Sequence, residues 1–135
     1  VILVDTNVVL DILSGDPRWG ALSTAALDAA AARDKPAIDD IVYAELAAGY
    51  ANALFLETAL AALNLPLVRI PVEALFLAGH AFRRYRHSGG TRSNVLADFF
   101  IGAHAAVADA ALLTRDTKRV RAYFPTVKLI EPGGP

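Results

Sequence analysis

Four acidic residues stand where carboxylates could work together: Asp5, Glu45, Asp98 and Asp116. Asp5 closes the apolar run over residues 1–4, and Asp116 follows another over residues 110–114. Either can instead cap a following helix, since an Asp after a strand accepts from the next backbone N–H groups. Glu45 and Asp98 have more apolar surroundings. Glu45 lies four residues after Ile41 and three after Val42, on or beside the apolar face of its helix. Asp98 lies three after Val95 and directly before Phe99, Phe100 and Ile101. A carboxylate in such company is costly to bury without compensation. An arginine partner, water at the edge of the stripe, or a shared cation would each supply it. Mg²⁺ and Mn²⁺ prefer oxygen ligands, and Mg²⁺ keeps several waters, so a few carboxylates suffice. Gathered carboxylates repel one another until a cation neutralises them. Such a metal can activate water and orient a phosphodiester for hydrolysis.

The elements around these acids must bring them to one place. Apolar runs at residues 1–4, 65–70 and 110–114 read as strands, and shorter stretches at 37–40 and 127–130 complete the set. Between them, helical spacing covers Val8, Val9, Ile12 and Leu13, then residues 19–33, 41–49, 52–63 and 72–87. A helix capped by Ser93 or Asn94 runs to about residue 108, and a last one covers 117–123. Pro17 suits the first position of its helix. Pro66 is tolerable where a strand begins. Strands alternating with helices predict an α/β fold with a central, mainly parallel sheet flanked by helices, one domain over residues 1–131 and a tail at 132–135. Ligands of such sheets gather beyond the carboxyl ends of the strands, where Asp5 and Asp116 fall.

Composition narrows the remaining chemistry. The chain has no cysteine, which excludes disulfides, thiolate metal sites and a cysteine nucleophile. No apolar run is long enough to span a bilayer, and the opening lacks a signal-peptide pattern, so a soluble cytoplasmic domain is expected. The net charge of −1 is uninformative, so the positions of the charges matter more. Arg83, Arg84, Arg86, His87 and Arg92 surround Gly89-Gly90, while Arg115, Lys118, Arg119 and Arg121 follow or flank the last acid. These are either solvated surface or contacts for an RNA backbone, and Arg115 is the stronger case through its place beside Asp116. His80 and His104 read as packing residues. Neither a Ser–His–Asp arrangement nor a glycine-rich phosphate loop is present. Surplus apolar residues over 51–63 fit either a crowded core or a partner surface.

Leu3-Val4-Asp5-Thr6-Asn7-Val8, Tyr43-Ala44-Glu45-Leu46, the run from Leu96-Ala97-Asp98-Phe99 to Ala103-His104-Ala105, and Leu112-Leu113-Thr114-Arg115-Asp116 stand in order along the chain. Together they resemble the four motifs of the PIN-domain nucleases, in particular the VapC toxins of bacterial toxin–antitoxin pairs. The resemblance implies a parallel sheet flanked by helices and a Mg²⁺- or Mn²⁺-dependent endoribonuclease. It makes Asp5, Glu45 and Asp98 the first three acids of a metal site and Asp116 the fourth, with Asn7 and Thr114 supporting them through hydrogen bonds. It also implies a cognate antitoxin and a homodimer. Two features depart from the pattern. Asp39 and Asp40 replace apolar or hydroxyl residues and suit helix capping, and Ala97 replaces a frequent proline. An RNA-processing PIN nuclease without a toxin role shares this chemistry. A receiver-like phosphoacceptor domain would want an acid pair after the first strand and a late lysine, whereas Thr6 follows Asp5 and the late strand ends in Arg115-Asp116. A catalytically inert binding module would not need all four acids.

Overall fold

The computed structural model describes residues 1–92 and 95–134. Its opening apolar run forms β1 (Ile2–Val4), buried on both faces as a central parallel strand requires. Helix α1 (Thr6–Ser14) follows at once, because Asp5 takes an extended backbone and accepts from the Thr6 N–H at 2.8 Å. Gly15 ends it at φ 62°, in the left-handed region that favours glycine. The next helix, α2 (Gly20–Arg33), starts later than expected. Pro17 lies instead in a turn held by Asp16, whose carboxylate accepts from Arg18 and Trp19 N–H at 2.8 and 2.7 Å.

Strand β2 (Pro36–Asp39) then runs directly into α3 (Asp40–Ala47), and Asn52 caps α4 (Ala53–Ala62) by accepting from the Phe55 N–H at 3.0 Å. The apolar run after Asn64 yields only a two-residue strand, β3 (Leu67–Val68), since Pro66 has no N–H and contributes only its carbonyl, which accepts from Ile38 N–H at 3.0 Å. Helices α5 (Val72–His87) and α6 (Leu96–Ala108) form a long packed pair. The cap expected at Ser93 or Asn94 lies outside the described residues. Strand β4 (Ala111–Leu113), helix α7 (Lys118–Tyr123) and strand β5 (Leu129–Ile130) complete the order.

The strands form one sheet in the order β3-β2-β1-β4-β5, and every pairing is parallel. At its centre Ile2, Leu3 and Val4 pair with Ala111, Leu112 and Leu113. The chain moves outward from β1 through β2 to β3, then crosses back to β4 on the other side. The order therefore reverses between β1 and β4, and a crevice at their carboxyl ends is where such sheets place ligands.

Small side chains bring the helices close. Ala74, Ala78 and Ala81 are fully buried along one face of α5, and Tyr85 near its end meets Phe99 at the start of α6, ring centres 5.6 Å apart. A Cβ on Gly102 would meet the Phe124 ring at 2.4 Å, so glycine there lets that ring lie against the backbone of α6. Among the described residues no helix is long and apolar enough to cross a membrane.

Candidate active site at the carboxyl edge of the sheet

Asp5 sits at the end of β1, beside the end of β4, where its backbone N–H donates to Leu113 O at 2.9 Å. Its carboxylate is held by a small network. The Thr114 hydroxyl donates to Asp5 Oδ2 at 2.8 Å, and Asn7 Nδ2 approaches the same oxygen at 3.4 Å. Thr114 Oγ1 in turn accepts from Asn7 Nδ2 at 3.2 Å and from the Asp116 N–H at 3.0 Å, which directs its one proton toward Asp5. Asn7 is fixed at its other end, since Oδ1 accepts from the Arg115 N–H at 3.1 Å. Asn7 and Thr114 thus both hydrogen-bond Asp5, and each other.

The other acids stand around this centre. Glu45 is exposed, at the edge of the apolar stripe of α3, and its Oε1 accepts from the Thr6 hydroxyl at 2.6 Å. Asp98, in the first turn of α6, accepts from Arg119 Nη1 at 2.6 Å. Asp116 is exposed just beyond β4. Their fields overlap. Burial pushes Asp5 from the ordinary 3.8 up to about 6; bonds from Thr114 and Thr6 oppose this, and the charges of Asp98 and Glu45 add to it. Burial also raises Asp98, against the pull of Arg119 and with a further push from Asp116 and Glu45.

Among the described residues no three acidic or imidazole groups stand close enough to be a ready-made ligand set. The donor chemistry nevertheless fits a hard divalent cation. The groups gathered here offer carboxylate, hydroxyl and amide oxygens, and a cation offsets both the burial that lifts Asp5 and Asp98 and the smaller push of the neighbouring acids. Arg119 supplies part of that relief within the chain.

The basic residues separate into two groups. Arg115 is engaged in a forked ion pair with Asp11, Nε to Oδ2 at 2.8 Å and Nη2 to Oδ1 at 3.0 Å, and its guanidinium lies over the Trp19 ring. Arg83, Arg84, Arg86 and Arg92 are exposed. The first three lie in the last turns of α5, which abut the start of α6, the helix that carries Asp98. Arg84 and Arg86 rest over the rings of Tyr123 and Phe82.

Two expectations change in detail. His80 is exposed beside Phe76 rather than packed in the core. His104 is buried and bonds through Nδ1 to Asp39 Oδ2 at 3.0 Å, while Asp39 Oδ1 caps α3 by accepting from Ile41 and Val42 N–H. Asp40 accepts from Arg69 Nε and from the Ile70 N–H, tying α3 to the end of β3. Asp11, absent from the residues singled out above, carries the same signal as Glu45 and Asp98, three residues after Val8 in an apolar stripe.

A buried carboxylate at the reversal point of an all-parallel sheet defines a class of α/β domain, and comparison with known proteins gives the family. A family model for the PIN domain matches residues 2–125, and the chain belongs to that family. Among solved structures it is similar to VapBC2 from Rickettsia felis bound to a DNA fragment from their promoter, with 21% identity, a TM-score of 0.73, and coverage of 96% of this chain and 97% of that one. It is similar also to a toxin–antitoxin complex from Klebsiella pneumoniae (24% identity, TM-score 0.71, 98% of each chain). A third similar structure is FitAcB from Neisseria gonorrhoeae (24% identity, TM-score 0.68, 100% of each chain). At these identities the likeness establishes the fold. No curated protein sequence matches the chain.

Proposed function

We propose that this protein is the toxin of a toxin–antitoxin pair, an endoribonuclease that hydrolyses RNA phosphodiester bonds with the help of Mg²⁺ or Mn²⁺. The observation that carries this reading is Asp5 at the reversal point of the sheet, buried, held by Thr114 and Asn7, and within the fields of Asp98 and Glu45. PIN-family membership and the likeness to toxin–antitoxin complexes support it.

Asp5, Asp98, Glu45 and Asp116 would hold the cation, which when bound neutralises charge on a phosphate and lowers the pKa of water. Thr114 and Asn7 keep Asp5 oriented as an acceptor. Arg83, Arg84, Arg86 and Arg92 offer positive charge to the RNA backbone beside the acids, and Arg115 steadies Asn7 through its N–H. A cognate antitoxin and a second copy of the chain are the protein partners, and the exposed Leu54, Phe55, Val72 and Phe76 offer apolar surface for such contacts. The protein acts in the cytoplasm.

The test is cleavage of RNA by purified protein, with chelator and with added Mg²⁺ or Mn²⁺. Asp5→Asn, Glu45→Gln and Asp98→Asn should each lose at least about a hundredfold, the upper end of what removing even a supporting residue of a metal site costs. Asp116→Asn should lose less. Replacing Arg83, Arg84 and Arg86 together by Gln should weaken RNA binding and flatten its salt dependence. Near-normal cleavage by the Asp5 or Asp98 variant would remove the reading.

A further inference from the structure

Asp98 already has a cation. Arg119 on α7 donates to its Oδ2 at 2.6 Å, and the arginine side chain is only 19% exposed. The guanidinium carbon lies 5.7 Å from the centre of the Tyr85 ring. That ring is held by Phe82, Phe99 and Tyr123 at 6.1, 5.6 and 6.3 Å, and its hydroxyl accepts from the Arg92 N–H at 3.1 Å. Arg119 therefore has a seat built from packed aromatics, unlike a surface arginine that samples many partners.

The pair is nevertheless incomplete. It has one N–H···O contact rather than the two of a forked arginine–carboxylate pair. Asp98 is 37% exposed, so its carboxylate stays open on the side away from Arg119. The guanidinium offsets part of the repulsion among the acids and leaves room for a stronger cation.

We propose that Arg119 is a resident counter-charge that competes with the divalent cation for Asp98, steadying the acid cluster when no metal is bound and releasing Asp98 when one is held. This rests on the metal-dependent reading above. It places Asp98 in an ion pair within the chain before any divalent cation arrives. It also makes metal affinity lower than the acids alone would give.

The experiment is Mn²⁺ binding by isothermal titration calorimetry to wild type, Arg119→Gln, Asp98→Asn and the double variant. Arg119→Gln should bind Mn²⁺ about fivefold more tightly, the scale of one partly screened ion pair. Lys118→Gln, which removes an equal charge that Asp98 does not engage, should shift affinity less than about twofold. In the Asp98→Asn background the Arg119→Gln gain should vanish. A second measurement needs no variant: the side-chain ¹⁵N resonances of Arg119 should move as Mg²⁺ saturates wild type. Arg119→Gln binding no more tightly than wild type, a gain that persists without Asp98, or an Arg119 signal unmoved at saturation would each overturn the proposal. Failure of wild type and every variant to bind Mn²⁺ would overturn the metal-dependent reading itself, and this inference with it.

Discussion

Two arginine–aspartate pairs use arginines from the segment after β4, and they are built in opposite ways. Asp11 is 5% exposed and saturated: two bonds from Arg115 at 2.8 and 3.0 Å, and a third from the Ser23 hydroxyl at 2.7 Å. Arg115 is braced over Trp19, 4.8 Å from the ring centre, and its hold on Asp11 keeps its charge secure above the ordinary arginine value. Asp98 has one arginine contact and a partly exposed carboxylate, which burial pushes up, with a further push from Asp116 and Glu45. The residue types are the same, and the difference lies in how many lone pairs are spoken for. A saturated carboxylate fixes structure, whereas an under-satisfied one among like charges is available to a ligand.

The largest effect should come from exchanging the two acids for alanine. Asp11→Ala leaves a buried hydroxyl without its acceptor and a half-buried guanidinium unpaired, and should cost about 3 kcal/mol of unfolding free energy. Asp98→Ala breaks a partly exposed pair while relieving repulsion, and should cost less than about 1 kcal/mol. RNA cleavage should divide the other way, with the Asp98 variant inactive and the folded fraction of the Asp11 variant still active. Urea unfolding curves and cleavage rates on the same preparations check both halves. Equal destabilisation by the two substitutions would erase the distinction.

A smaller effect sharpens the contrast at two threonines. The Thr114 hydroxyl is buried and makes three contacts, to Asp5, Asn7 and the Asp116 N–H. The Thr6 hydroxyl makes one, to the exposed Glu45. Thr114→Val should lower cleavage by about ten- to a hundredfold, the usual cost of losing a supporting contact at a metal site. Thr6→Val should lower it by less than about fivefold, since an exposed single bond contributes roughly 1 kcal/mol or less. Rates under saturating Mn²⁺ measure the two directly, and a Thr6 variant worse than the Thr114 variant would reverse the ranking.

Much of this site was legible in the residue order. The alternation of β-branched runs and helical spacing placed Asp5 and Asp116 at strand ends, and the structure puts those ends side by side. The apolar neighbours of Asp98 marked an acid needing compensation, and Arg119 supplies part of it. What the residue order did not specify were pairings across long separations. Arg115 and Asp11 are 104 residues apart, and nothing local to either indicates the other. Arg115 beside Asp116 suggested a nucleic-acid contact, and its guanidinium also pairs with Asp11, which adjacency in sequence could not indicate. Glu45 read as near-inward from spacing alone, but α3 ends soon after it, which leaves its carboxylate at the exposed end of the stripe. The late start of α2 has a local cause: Asp16 caps a turn before Pro17 can begin a helix.

The smallest predicted effect is a pH dependence that belongs to the under-satisfied group of acids. Asp5 has a folded value of about 6 against 3.8 for the free side chain, so between these values the folded protein binds more protons than the unfolded chain. Unfolding free energy then falls as pH rises through this window. Below about pH 4 both states are protonated and this group contributes nothing. Above about pH 6 both are charged and the penalty is complete. A shift of this size corresponds to about 3 kcal/mol if fully expressed, and partial exposure to solvent reduces it to about 1–2 kcal/mol. Asp5→Asn removes the charge and keeps a good helix cap, because Asn also accepts from the first N–H groups of α1. The metal-free variant should therefore melt higher than wild type at pH 7, and its advantage should disappear on acidification to pH 4. Mg²⁺ should narrow the gap at pH 7 from the other side, by stabilising wild type more than the variant through mass action. Thermal melts of both proteins from pH 4 to pH 8, with chelator and with Mg²⁺, give the comparison, and groups common to both cancel in the difference. Parallel melting profiles across that range, unchanged by Mg²⁺, would show that Asp5 is as fully satisfied as Asp11 and would close the contrast between the two kinds of acid.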